Sequence, residues 1–390
     1  MDALTTPSNW QKVRLGDIAE IKRGVRITKN ELDVFGKYPV VSGGVGFLGY
    51  TNNFNRYENT ITIAQYGTAG YVNFQKNKFW ANDICFCVYP NKDVIKNIFL
   101  YYFLKVNQNY LYEISNRNAT PYSISKDKIL DFEIPLPPLN EQVAIANILS
   151  GLDRYLYSLD ALILKKESVK KALSFELLSQ RKRLKGFNQA WQKVRLGDIG
   201  ITISGLAGKT KQDFINGNAK YITFLNVLNN IIIDTSILEN VKIYPNEKQN
   251  SFKKYDLFFN TSSETPKEVG MCAVLLDDID QVFLNSFCFG FRIFDKAVDS
   301  LFLSYLINSE IGRKAFENLA QGSTRYNLSK SGFNNVCLIL PPLNEQAAIA
   351  NILSDLDSEI ISLKNKKRQF ENIKKALNHD LMSAKIRVLN

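Results

Sequence analysis

At 390 residues, 45% of them hydrophobic, the chain is long enough for two or three domains with real cores. Its 49 Lys and Arg outnumber its 38 Asp and Glu, and the net charge of +11 favours an anionic partner, nucleic acid or an acidic protein surface. A single histidine, His379, excludes a catalytic triad or a histidine metal site from most of the chain, and five cysteines without a Cys-x-x-Cys pair read as buried free thiols rather than a zinc site.

In chain order, the first landmark is WQKVRLGDI at residues 10–18, a short strand or helix pair running to a turn at Arg23 and Gly24. Residues 38–51, 59–74 and 79–89 are β-branched and aromatic runs broken by Gly-Gly, Gly-Thr and Asn, which predicts a curved, mostly β body with close turns. Cys85 and Cys87 alternate in the third run and belong on one face. Gly43, Gly44 and Gly46 are read as hairpin turns, because no helix-forming run and no Lys-Ser or Lys-Thr follows them as a phosphate loop requires. Residues 96–111 have helical amphipathic spacing, and after them comes NRNATPYSISKDKILDFEIPLPPL, rich in the donors that DNA phosphates and base edges take up. The alternative for this segment is an ordinary surface loop.

PPLNEQVAIANILS follows at residues 137–150. The Pro pair closes the strand region, Asn140 is a helix cap, and apolar residues then recur at spacings of four and three through Leu149, Leu152, Leu156 and Leu159. Such a heptad pattern predicts a coiled-coil seam on a helix of about 45 residues, ~65 Å long, that stops at Gly186.

The whole plan then repeats. WQKVRLGDI returns at residues 191–199, offset by 181, and PPLNEQAAIANILS returns at residues 341–354, offset by 204, with a seam through Leu353, Leu356, Ile360 and Leu363. The loops before the two helices match at Tyr122 and Tyr326, Ser125 and Ser329, and Lys126 and Lys330, while the rest of the two bodies is dissimilar. In the second body strands are expected at 220–228, 230–238, 256–276 and 282–294, with NTSSETPK at 260–267 a binding loop or a solvated hairpin. GLAGKT at 205–210 is rejected as a P-loop, since Ile203 stands where the first Gly is needed. Two such seams in one chain are satisfied by packing on each other, and antiparallel pairing gives an internal pseudo-two-fold. Lys166 and Lys170 in one copy stand against Phe370 and Lys374 in the other, an asymmetry that favours pairing between the copies over self-pairing. Basic residues along both helices, among them Lys166, Lys170, Arg183, Lys367 and Lys374, face either a DNA backbone or solvent.

The expected fold is therefore α+β: two mostly-β bodies, at residues 1–136 and 187–340, each followed by a long helical segment, 137–186 and 341–390. No run of 18 apolar residues and no apolar leader is seen, so neither a membrane span nor export is expected, and unpaired thiols suit the cytoplasm.

This doubled arrangement resembles the specificity (S) subunit of type I restriction-modification systems. The resemblance is carried by Trp10, Leu15, Gly16, Asp17 and Ile18 with Trp191, Leu196, Gly197, Asp198 and Ile199, and by Pro137, Pro138, Glu141, Gln142 and Ile145 with Pro341, Pro342, Glu345, Gln346 and Ile349. It implies two target-recognition domains reading the halves of a bipartite, asymmetric double-stranded DNA sequence, with the helices setting the spacer. It also implies a subunit without catalysis or cofactor of its own, bound to two methyltransferase (M) subunits and through them to two restriction (R) subunits. S-adenosylmethionine, ATP and Mg, adenine-N6 methylation and ATP-dependent cleavage would belong to those partners. Base contacts do not transfer by motif, so the DNA-binding candidates rest on side-chain chemistry and loop position. They are Arg23, Arg26, Arg56, Gln65, Tyr66, Arg117, Asn118 and Lys126 in the first half, and Asn260, Thr261, Ser262, Lys267, Arg325, Asn327 and Lys330 in the second. The competing classes are a self-contained nuclease and a scaffold without sequence preference.

Overall fold

A computed structural model describes residues 10–118, 120–317, 319, 321–322 and 325–388. The chain divides into two compact units, one of Met1–Ala161 with Lys364–Asn390 and one of Leu162–Leu363, so each contains one body and half of each long helix.

In the first unit the opening motif folds as a strand, one helical turn and a second strand: β1 (Gln11–Arg14), α1 (Leu15–Ile18) and β2 (Ala19–Arg23). Leu15 and Ile18 are buried beneath the turn. Between them Gly16 lies so close to Leu130 that a Cβ would sit 3.3 Å from that residue's Cβ and carbonyl oxygen. The chain continues through β3 (Tyr38–Val41), β4 (Gly49–Thr51), β5 (Thr60–Ala64), β6 (Val72–Gln75), β7 (Trp80–Ala81) and β8 (Cys85–Pro90). Antiparallel β2-β8-β5-β6 forms the main sheet, and β4-β3-β7 forms a smaller one in which β3 and β7 run parallel. The predicted 96–111 helix is two helices, α2 (Asn97–Val106) and α3 (Gln108–Glu113), broken at Asn107, whose amide side chain donates back to the Phe103 carbonyl. The short α4 (Lys126–Leu130) is N-capped by Ser125, whose hydroxyl accepts the Lys128 N–H, and β9 (Glu133–Leu136) returns to pair with β1. Ile61, Val88, Phe99, Phe103 and Ile134 pack one core together with Ile145 and Leu149 from the start of α5 (Leu139–Leu178).

The second body repeats this construction from different residues. After β10 (Gln192–Arg195), α6 (Leu196–Ile199) and β11 (Gly200–Ser204) come β12 (Ala219–Ile222), α7 (Phe224–Asn229), β13 (Glu239–Val241), β14 (Leu257–Asn260), β15 (Ser262–Ser263), β16 (Cys272–Val274), β17 (Val282–Leu284) and β18 (Cys288–Ile293). The sheets are β11-β18-β14-β16 and β13-β12-β17, the latter again with one antiparallel and one parallel pair, so the strand order of the first body is reproduced. Then follow α8 (Ser300–Asn308), α9 (Glu310–Glu317), β19 (Tyr326–Asn327), α10 (Lys330–Asn334), capped by Ser329, β20 (Cys337–Leu340) and α11 (Leu343–Met382). The core centres on Phe333, which meets the rings of Phe259, Phe289, Phe291 and Phe316 at 4.8 to 6.1 Å between centroids.

Several further expectations need correction. The stretch at 220–228 is half strand and half helix, because Thr223 caps α7 by accepting the Asn226 N–H. Residues 230–238 form no strand beyond a bridge at Ile232, since Asp234 accepts the Ser236 N–H and turns the chain into a helical turn. Each long helix has 40 residues, about 60 Å at 1.5 Å per residue. α5 stops at Leu178, with Gln180 at φ +61, well before Gly186. Cys85, Cys87, Cys272 and Cys288 are buried free thiols, but Cys337, on β20, is exposed.

Within each unit the two long helices run antiparallel. In the first, Asp153 meets Lys374 and Asp160 meets Lys367, so the numbering falls along one helix as it rises along the other. In the second, Lys166 meets Glu359 at 2.8 Å and Lys170 meets Asp357 at 2.5 Å. Asp153 and Asp357, like Lys374 and Lys170, are the same repeat positions. Lys166 and Phe370 are also equivalent, yet Lys166 pairs with Glu359 whereas Phe370 packs on Tyr155 at 4.7 Å.

Candidate nucleic-acid interface

The PPLNEQ motif ties each body to its helix. Glu141, buried at the start of α5, accepts the Trp10 indole N–H at 3.2 Å and a two-point bond from Arg387, Nε at 2.6 Å and Nη at 2.9 Å. In the second unit Glu345 does the same for Trp191, at 3.3 Å, and for Arg183, whose Nε lies at 2.8 Å. Planar guanidinium forks on carboxylates are strong and directional. Gln142 accepts the Lys96 N–H and donates to the carbonyls of Val94 and Pro137; Gln346 accepts the Asp299 N–H and donates to Ala297 and Pro341. Further along, the Tyr102 and Tyr305 hydroxyls donate to Asp153 and Asp357, and burial together with those bonds pushes both phenols far up. The near-verbatim repeat is therefore a joint. The helices begin at Leu139 and Leu343, one residue before the predicted cap.

The seam residues follow the heptad. Leu149, Leu159, Leu353 and Ile360 are buried, whereas Leu152, Leu156, Leu356 and Leu363 are half-buried; Leu149 and Leu353 belong to the body cores as well. Lys166, Lys170, Arg183, Lys367 and Lys374 were expected to face DNA or solvent, but all five are held by carboxylates.

The polar loops converge at an equivalent place in both bodies. Behind β5, Tyr66 bridges Ser123 and the Gln65 carbonyl accepts the Ile124 N–H; behind β14, Ser262 pairs with Asn327 and the Thr261 carbonyl accepts the Leu328 N–H. In each, the segment preceding the short capped helix is thus stitched to the loop leaving the central strand. In the first body this brings together Arg23, Gln65, Tyr66, Arg117 and Asn118. Arg23, exposed at the end of β2, donates to the Gln65 side-chain oxygen at 3.0 and 2.5 Å, and exposed Arg117 lies over the rings of Tyr112 and Tyr122. Asn118 is exposed beside it, its N–H taken by the Asn116 side chain at 3.0 Å. Arg26 and Lys126 are exposed, the latter opening α4. Arg56 is drawn inward: its Nη atoms donate to the carbonyls of Asn55 and Arg23, and its Nε is buried.

In the second body Thr261 is held through its hydroxyl by the Phe287 carbonyl at 2.8 Å, Arg325 lies over the exposed Phe287 ring at 5.7 Å, and Asn327 and Lys267 are exposed. Lys330 donates to Ser204 at 2.8 Å, and Ser204 is the β11 counterpart of Arg23. Asn260 and Ser262 are turned inward. Asn260 is fully buried, donating to the carbonyls of Ser262 and Glu268 and accepting the Met271 N–H, so its side chain shapes the loop. The GLAGKT lysine, Lys209, is likewise engaged, by Glu247 and the Lys242 carbonyl, both at 2.6 Å.

Two copies of one family profile, described as the type I restriction modification DNA specificity domain, match residues 7–166 and 188–372. The chain belongs to this type I specificity family. A type I restriction enzyme specificity subunit of Methanocaldococcus jannaschii is 27% identical over 100% of this chain and 96% of that one. A putative type I specificity subunit of Mycoplasma pneumoniae is 29% identical over 56% of this chain and 60% of its own length. The crystal structure of a type I S subunit from M. genitalium superposes with a TM-score of 0.69 at 20% identity over 96% of both chains, which shows a shared fold.

Several residues that build these sites were invisible as sequence. Tyr112 and Phe287, the rings under Arg117 and Arg325, carry no motif. Arg183 was expected to face DNA or solvent and Arg387 was not singled out; only their equivalence at the 204 offset, together with that of Glu141 and Glu345, could have paired them. Among the described residues of this type I specificity chain no group of three His, Cys, Asp or Glu could hold a metal ion, and no helix is long and apolar enough to cross a membrane.

Proposed function

We propose that the chain is the non-catalytic, DNA-reading subunit of a type I restriction-modification complex, each body recognising one half of a bipartite, asymmetric sequence. One observation carries this: two bodies of identical strand order present different side chains at equivalent positions, Gln65 and Tyr66 against Thr261 and Ser262, and Ser123 against Asn327. A common framework with variable loops is what two readers of unlike half-sites require. The helix pair would set the length of the unread spacer, with half-sites about one helical turn apart. Two M subunits and two R subunits would complete the complex, bringing S-adenosylmethionine, ATP and Mg with the adenine-N6 methyltransferase and ATP-dependent endonuclease activities. Methylome sequencing of cells carrying a chimera in which residues 191–340 come from another specificity subunit tests the reading. Exactly one half of the methylated motif should change, and a change in both halves defeats the proposal. Cleavage of DNA by the purified chain with magnesium alone would replace it with a nuclease.

A further inference from the structure

Resting on that reading, we infer that Arg117 specifies a guanine in the half-site read by the first body. Its guanidinium carbon lies 5.1 Å from the centroid of the Tyr112 ring and 5.1 Å from that of Tyr122, and its Nε donates to the Tyr112 carbonyl at 2.9 Å. The donors of a guanidinium lie in its plane, five N–H in all, and the two rings flank the cation without accepting a conventional hydrogen bond. One edge is spent on the backbone, and the Nη1/Nη2 edge has no hydrogen-bond partner among the described residues.

The loop that carries Arg117 is held at both ends. Asn116 and Ser123 exchange N–H···O bonds of 2.7 and 3.1 Å, and the Tyr122 carbonyl accepts the Gly67 N–H at 3.0 Å. The same stitching places Arg117 beside the loop of Gln65, where Arg23 and Gln65 already bond to each other. An exposed arginine ordinarily loses much rotamer freedom on binding; this one is ordered beforehand, at a site where polar side chains converge. Two parallel donors on a fixed planar edge match the O6 and N7 acceptors of guanine in the major groove, and the geometry distinguishes guanine from the three other bases. The same fork also fits a phosphate, and base identity separates the two: a phosphate contact weakens with loss of Arg117 but is indifferent to replacement of any one guanine acceptor.

The test uses the chain assembled with its methyltransferase subunit. The methylated motif is mapped by sequencing, and the exchange of residues 191–340 shows which half belongs to the first body. In duplexes carrying that motif each guanine of that half is replaced in turn by 7-deazaguanine, which loses the N7 acceptor but keeps Watson–Crick pairing, and affinity is titrated at fixed salt. One replacement should weaken the unaltered complex by about tenfold or more. Arg117→Ala should lose a comparable factor and be indifferent to that replacement, while Arg117→Lys should keep binding to unrelated DNA and lose the discrimination. The inference is overturned if no guanine position is sensitive in the unaltered complex, or if Arg117→Ala retains the full sensitivity. A complex without any sequence preference would overturn the reading of the two bodies itself, and this inference with it.

Discussion

Replacing Glu141 by alanine is expected to destabilise the protein by about 3–5 kcal/mol, seen as a lowered denaturation midpoint. The carboxylate is 2% exposed in its side chain and receives Trp10 and two donors of the Arg387 guanidinium, so its loss strands an indole N–H and removes a buried charge-assisted pair. Glu345→Ala should cost a similar amount through Trp191 and Arg183. Glu141→Gln keeps the volume and one acceptor and should lose distinctly less. If Glu141→Ala melts within about 1 kcal/mol of the unaltered chain, below the range for breaking a buried pair, the joint is not where the helix is anchored.

The second large effect concerns the seam. Asp introduced at both Leu156 and Ile360 puts an unpaired carboxylate into the apolar line of each unit, at a half-buried and a buried position, which costs several kcal/mol per site in such surroundings. Both bodies keep their own cores, because Leu149 and Leu353, which seat the helices on them, are untouched. Methylation of the bipartite motif should disappear while circular dichroism still reports folded sheets. Retained bipartite methylation would show that the helix pair does not set the spacer.

Periodicity and repetition made the large architecture legible. The doubled Trp and Pro-Pro motifs located both bodies and both helices because helical spacing persists over many turns in Leu149, Leu156 and Ile360. Short elements were less legible. Residues 224–229 are apolar enough for a strand, and only the Thr223 cap turns them into a helix. The helices α8 and α9 passed unread: SLFLSYLIN is apolar almost all round and lacks a polar face to betray a period of 3.6, while α9, at 8 residues, spans little more than two turns. The common strand order of the bodies was hidden too, because β5 and β14 are central strands that any large apolar side chain satisfies. At the candidate interface, side-chain chemistry singled out Arg117 and Arg325 but equally Arg56 and Asn260, which look alike until their hydrogen bonds are traced to backbone carbonyls. Whether a polar residue reaches outward or braces its own loop depends on partners dozens of residues away.

The anchoring carboxylates have a topological corollary. Arg183 and Trp191 grip Glu345 from eight positions apart on a continuous stretch of backbone, whereas Arg387 and Trp10 grip Glu141 from opposite extremes of the numbering. The same three-residue grip is therefore built once from neighbouring residues and once from segments far apart in the sequence, so only the second closes a long loop of chain, at an entropic cost that grows slowly with loop length.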